Sequence, residues 1–262
     1  MVLFLFLTHL AIGIVFTLAL VSREAGVKFF RFNAGLAASL IAVAFAFRQM
    51  DGATTLGQMA LVAVAVVETA VFVYWATVGR ALARVRPALV ATACGAGVVA
   101  LVLQALDVSI GWPVVVRGLA VASFLSSAAL LGGTCTAMIL GHWYLVIPSM
   151  QVTHLQSIVK VHIASMVVRV VVVAAAVIVA IATWQPGAGP NFERYIFSVA
   201  GIFFWQRVLF GLAPVLLAYL TWETAKIRST QSATGILYVD FFTVVVAEVL
   251  AKYLLLATRV PV

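Results

Sequence analysis

Residues 155–184, LQSIVKVHIASMVVRVVVVAAAVIVAIATW, are apolar almost without a break, yet Lys160, His162 and Arg169 are set among them. As a helix rising about 1.5 Å per residue, such a stretch more than covers the roughly 30 Å hydrocarbon core of a bilayer. At 3.6 residues per turn His154, His162, Ser165 and Arg169 share one side of that helix, whereas Lys160 points away. A polar face of this kind has to turn toward protein or internal water, because an arginine facing acyl chains costs several kcal/mol. Lys160, near the helix end, can extend its ammonium to the interface.

Working outward, comparable stretches fill the rest of the 262 residues, at about 3–22, 33–49, 57–79, 88–106, 113–145, 195–222 and 232–257. The chain is 65% hydrophobic and only 9% charged, outside the range of soluble domains. With no strand-like alternation, the expected fold is an all-α integral membrane protein of eight transmembrane helices in one polytopic domain, 1–262. A division near 107 gives two four-helix halves, 1–106 and 107–262. The first stretch carries no basic n-region and no small-residue cleavage site before Ser22-Arg23-Glu24, and is read as the first helix rather than a secretory signal.

Charge sets the expected orientation. Arg23, Lys28, Arg31, Arg80, Arg84, Arg86, Lys226 and Arg228 fall on one set of connections, against Arg48, Arg194 and Arg259 on the other, with Arg117 just inside a helix. The positive-inside rule makes the first set cytoplasmic and puts both termini outside, in a cell inner membrane. The same bias explains the net charge of +8 without nucleic acid as a partner. Cys94 and Cys135 are far apart and read as packing residues. The chain has no CxxCH, HExxH, P-loop or dinucleotide glycine pattern, so no metal site is expected, and electrons would be carried by quinone, by non-covalent haem or by another subunit.

Three further patterns carry chemistry. Ser123, Ser127, Thr134 and Gly141 form a small-residue stripe on the fifth span that lets another helix approach. At the end of that span, Gly141-His142-Trp143-Tyr144-Leu145-Val146-Ile147-Pro148 places a histidine beside two aromatics; these serve as interface anchors, or His142 donates to a quinone carbonyl and exchanges a proton. Glu68, Arg169, Arg207, Glu248 and Lys252 are ionisable groups at membrane depth, fit for a proton relay or for structural ion pairing. Glu248 and Lys252, four residues apart, have the favourable order for an intrahelical pair.

Phe124-Leu125 with Leu131-Gly132-Gly133 and Gly141 resembles the glycine-bearing fifth helix of the dimethyl sulfoxide reductase anchor. Trp205-Gln206-Arg207-Val208-Leu209 and Ala247-Glu248-Val249-Leu250-Ala251-Lys252 resemble its last two helices. The chain is thus similar to the NrfD-like membrane anchors of polysulfide and dimethyl sulfoxide reductases. The resemblance implies a two-bundle anchor without haem of its own, exchanging electrons between an exchangeable membrane quinone and an attached iron–sulfur or cytochrome subunit. The family's Asp-Leu-Gly-type run after the second helix is absent from Arg48-Gln49-Met50-Asp51-Gly52, which leaves His9 and Glu68 as the candidates on that side.

The leading expectation is therefore a non-catalytic membrane subunit of a respiratory oxidoreductase, with His142, Trp143, Tyr144 and His162 at a quinone. A b-type cytochrome with His142 and His162 as haem ligands, and a transporter or channel lined by Glu68, Arg169, Arg207 and Glu248, are the alternatives.

Overall fold

The computed structural model of the protein describes residues 1–48, 54–81, 83–146, 152–184, 191–227 and 229–262, apart from the side chains of Val152 and His154. All regular elements among them are helical: α1 (Val2–Leu18), α2 (Gly26–Ala46), α3 (Thr55–Thr77), α4 (Arg86–Val108), α5 (Val114–Val146), α6 (Val152–Ala182), α7 (Phe192–Ile196), α8 (Ile202–Lys226) and α9 (Thr230–Thr258). Among the described residues seven helices, α2 to α6, α8 and α9, are long and apolar enough to cross a bilayer. The eighth expected span, α1, is a shorter helix of 17 residues. It is also the innermost, with 13 of those residues buried, and it packs against α2, α4, α5 and α9.

Polarity is distributed as in lipid rather than in water. Val62, Val171 and Leu209 are each more than 60% exposed, while Arg169, Glu248 and Lys252 are no more than 2% exposed. An apolar exterior around a charged interior is stable only where the solvent is hydrocarbon. Helices α1 to α4 pack on one another, as do α5, α6, α8 and α9; the two groups meet where α1 crosses α5 and α9 and where α4 meets α5.

Successive long helices alternate in direction. At one end the Thr54 hydroxyl caps α3, accepting from the Gly57 N–H at 3.0 Å, and donates to the Asp107 carboxylate at the end of α4. At the other, Arg86 donates to the Thr77 and Ala81 carbonyls and closes the α3–α4 turn. That second end also gathers Arg23, Lys28, Arg31, Arg80, Arg84 and Lys226, and is the basic end of the bundle.

The span expected from 195 begins later. Asn191 caps α7 by accepting from the Arg194 N–H at 2.9 Å, but α7 stops at Ile196 because Ser198 is extended, and a 3-10 turn, Val199–Gly201, leads into α8. The apolarity of Phe197 and Val199 made this surface turn look like helix interior. Expected features at Gln49 to Gly52, Ile147-Pro148, Arg228 and the His154 side chain lie outside the described residues.

Without a hydrophobic force between helices in lipid, close backbone approach has to supply cohesion. It does so at Gly13 and Gly132, where α1 and α5 touch main chain to main chain: a Cβ on Gly132 would overlap the Gly13 carbonyl, and one on Gly13 the Ala128 carbonyl. Gly132→Val should therefore cost about 3 kcal/mol or more, because neither backbone can yield. Gly95→Ala, where the added carbon meets open space, is the reference. Thermal unfolding in detergent is expected to show a large drop for the first variant and none for the second.

Candidate functional site

The centre of the site is one carboxylate. Glu248, wholly buried on α9, receives Arg169 of α6 in a two-pronged contact, Nε to Oε1 at 2.8 Å and Nη2 to Oε2 at 3.1 Å. Arg207 of α8 donates to Oε1 at 3.3 Å, and the Lys252 ammonium lies 3.7 Å from Oε2, one turn along α9. Three cations thus surround one anion at membrane depth. Arg169 extends the cluster to α5 by donating to the Ser123 hydroxyl at 2.7 Å, and to the Val262 carbonyl at 3.2 Å.

Ser127 ties in the remaining members. Its hydroxyl donates to Glu248 Oε2 at 2.5 Å and accepts from Lys252 at 2.8 Å, and His9 Nδ1 of α1 stands 3.2 Å away. Because the single serine proton is directed at Glu248, Nδ1 is the donor in the His9 contact. A neutral His9 then keeps a bare Nε2, which is buried beside the Gln104 amide without an aligned hydrogen bond to it. Phe124 holds the ring edge-on at 4.7 Å and lies under the Lys252 ammonium at 5.1 Å.

Two turns toward the basic end, a second layer repeats the theme. His162 Nε2 of α6 lies 2.7 Å from Asp240 Oδ2 of α9, both fully buried, and Thr134 of α5 donates to the same oxygen at 3.3 Å. Neither ring nitrogen of His162 makes an aligned hydrogen bond, Nε2 being close to Asp240 but off line, and Asp240 Oδ1 has no protein hydrogen-bond partner. Toward the basic end, the Tyr238 hydroxyl of α9 meets His142 Nδ1 of α5 at 3.3 Å, in an exposed position. From Lys252 to Tyr238 these layers follow about 21 Å of α9, and they form a polar seam along α5 and α9.

The expected residues divide accordingly. Arg169, Arg207, Glu248 and Lys252 come together, whereas Glu68 stands apart, lining a groove between α2 and α3 with Oε2 unpartnered. Lys160 is exposed over the Trp222 ring at 5.3 Å. His142, Trp143, Tyr144 and His162 do not converge. Trp143 packs edge-on against Phe29 at 5.8 Å, and Tyr144 is buried. His162 sits beside Gly133, nine residues and so roughly 13 Å of helix axis from His142, too far for both to grip one haem iron.

The small-residue stripe turns out to line the seam, since Ser123, Ser127 and Thr134 supply its hydroxyls and Gly141 packs on Thr234 and Leu237 of α9. Asp240 was missed, although eight residues before Glu248 places it on the same side of α9. His9 had no sequence signal linking it to Ser127. A cavity of about 300 Å³ between α6 and α8, apolar except for Arg169 and Arg207, borders the cluster. Arg207 Nε has no protein partner there. Among the described residues no three His, Cys, Asp or Glu side chains gather to hold a metal ion.

Comparison with protein-family models, with curated proteins and with solved structures finds no match to this chain.

Removing the carboxylate would strand its cations in a medium that cannot solvate them. Glu248→Ala is expected to lower unfolding free energy by about 3–5 kcal/mol. In a double-mutant cycle with Arg169→Ala, the second substitution should cost much less than it does alone, because the shared interaction is already lost. Chemical unfolding in detergent micelles measures both, and additive losses would show that the two groups are not coupled.

Proposed function

We propose that this chain is the membrane-embedded subunit of a respiratory oxidoreductase, comparable to the NrfD-like anchors, and that its polar seam moves protons as attached iron–sulfur or cytochrome subunits exchange electrons with quinone. The observation that supports this reading best is the placement of His9, Glu248, Lys252, Asp240 and His162 in two buried layers along α9, with His142 exposed beyond them. Here His9 Nε2, His162 Nδ1 and Asp240 Oδ1 offer places where water can join a proton path.

Each layer has a part in that reading. His142, exposed and paired with Tyr238, is the proton port at the basic end rather than a quinone ligand shared with His162. The His162–Asp240 pair is the internal relay: the two groups lie 2.7 Å apart without an aligned hydrogen bond, and a turn of the imidazole would let it pass one proton to the carboxylate. Around Glu248, lysine is the one cation of the three whose type releases a proton readily. The largely apolar cavity beside Arg169 and Arg207 would admit a quinone ring and present donors to an oxygen on which charge develops during reduction.

The topology proposed with it counts α1 as an eighth span. Its 17 residues reach about 26 Å, near the lower limit for crossing hydrocarbon, and it is sheltered by other helices. The basic end is then cytoplasmic and both termini face outward across the inner membrane. A tag at either terminus should react with an impermeant label on intact spheroplasts. Protection of both tags would reverse the orientation, and protection of one would remove α1 from the spans.

The functional test is isolation of the chain from its native membrane with whatever is bound to it. Redox subunits, and quinone-dependent electron transfer by the isolated assembly, are the expected result. Asp240→Asn keeps shape but removes an exchangeable proton, and in the assembled complex it should reduce proton movement per electron at least tenfold, within the range of a lost general acid or base. A chain that purifies without a redox partner, or unchanged proton movement in that variant, would overturn the proposal.

A further inference from the structure

The groove between α2 and α3 lies on the lipid-facing side of the bundle, away from the seam, and encloses about 700 Å³. Lys28 and Arg31 stand at its basic-end mouth, and neither has a hydrogen-bond or ion-pair partner among the described residues. Below them the walls are apolar: Phe32 and Phe72 are each 53% exposed, and Trp75 forms the floor.

The floor is built rather than incidental. Gly35 permits the Trp75 indole to lie against α2, since a Cβ there would stand 2.8 Å from Nε1. The indole in turn carries the Arg31 guanidinium, whose carbon is 5.7 Å from the ring centroid. A cation–π contact holds the guanidinium by its face and leaves its N–H groups directed outward. Tryptophan also marks the level of the membrane interface, where headgroups lie. Glu68, the acidic residue in the lining, is seven residues and about 10 Å of helix axis from Trp75 on the side of the bilayer centre, so it meets acyl chains rather than a headgroup.

We infer that this groove is a binding site for an acidic phospholipid, its phosphate held by Lys28 and Arg31 and an acyl chain running past Phe32 and Phe72. Two cations without an ion-pair partner among the described residues, above a mostly apolar trough, fit the charge and the amphiphilic shape of such a lipid. A zwitterionic lipid would bring its own cation to the same place and gain less. The basic end is the one that the proposed orientation exposes to the anionic leaflet, but the site itself rests on the groove's own charges.

The test uses the full-length protein, with whatever partners it retains, in nanodiscs of phosphatidylcholine into which phosphatidylglycerol is titrated. Lipid bound to the protein is read by native mass spectrometry after release, and size-exclusion profile and thermal unfolding verify folding. The wild type should retain phosphatidylglycerol over phosphatidylcholine, and raising salt should erode that preference. Lys28→Gln with Arg31→Gln should lower it roughly tenfold or more. Arg80→Gln with Arg84→Gln removes the same charge from the same end outside the groove, and should change it less than twofold.

Equal loss in both double variants would make the attraction a diffuse surface field and overturn the site. Should the first variant fail to fold, a wild-type preference that is absent or insensitive to salt overturns it equally. Displacement of the lipid by inorganic phosphate at millimolar concentration would mark a free-phosphate site instead, and a protein partner occupying the groove in the isolated assembly would replace the lipid altogether. None of these outcomes depends on proton movement through the seam.

Discussion

The Glu248 carboxylate, with three cations around it, is the constraint to which the rest of the bundle answers. A charge in hydrocarbon is tolerable only if partners reach it, and Glu248 obtains them from α6, α8 and its own helix, with Ser127 of α5 completing the shell. Helices in lipid have little reason to choose one neighbour over another by apolarity alone. Charges that must meet provide that reason, and they fix rotation as well as adjacency: turning α6 by one residue, about 100°, would carry Arg169 out of reach. Stability is a poor measure of such a cluster, since well-packed apolar residues often do as well. What it supplies is a single arrangement of four helices.

The other half of the bundle is attached by a different device. At Gly13 and Gly132 the absence of side chains lets α1 and α5 meet at their backbones, and this brings His9 to Ser127 and Thr17 to within 2.5 Å of Thr136. The steric contact and the polar contacts depend on one another. A wider crossing would separate His9 from the hydroxyl that orients it, and without polar partners the buried groups of α1 would favour no particular crossing. The shorter helix α1 therefore becomes the most enclosed, where length for spanning matters less than fit.

Much of this was legible from periodicity, and the failures have physical causes. Arg169 and His162 are assigned to an inner face because lipid forbids the alternative, and both are buried; Lys160, assigned to the interface because its stem is long enough, is exposed over the Trp222 ring. Glu248 and Lys252 announced their pairing by spacing. Partners across helices were another matter, for nothing in one sequence says that His9 meets Ser127 or that His162 meets Asp240 rather than His142. The aromatic company of His142 drew attention to a residue at the rim, while Asp240, flanked by Val239 and Phe241, was hidden in an apolar run. The break before α8 escaped notice because interface turns in membrane proteins are themselves apolar.

The seam's interruption bears on what it can do. Between the Glu248 layer and the Asp240 layer lie eight residues of α9, or about 12 Å, with Val244 fully buried between them. Protons do not cross such a distance through packed valine and leucine, so the two layers exchange them only when water enters. A continuous file of titratable groups would leak and dissipate the gradient that a respiratory membrane maintains. Under the proposed function, two separate proton-holding layers, with a cavity opening beside Arg169 and Arg207 at the level of the gap, would instead make transfer conditional on what occupies that cavity. Under the proposed function, this conditionality couples quinone chemistry to proton movement, and the dry interval at Val244 is as much a part of it as the charges on either side.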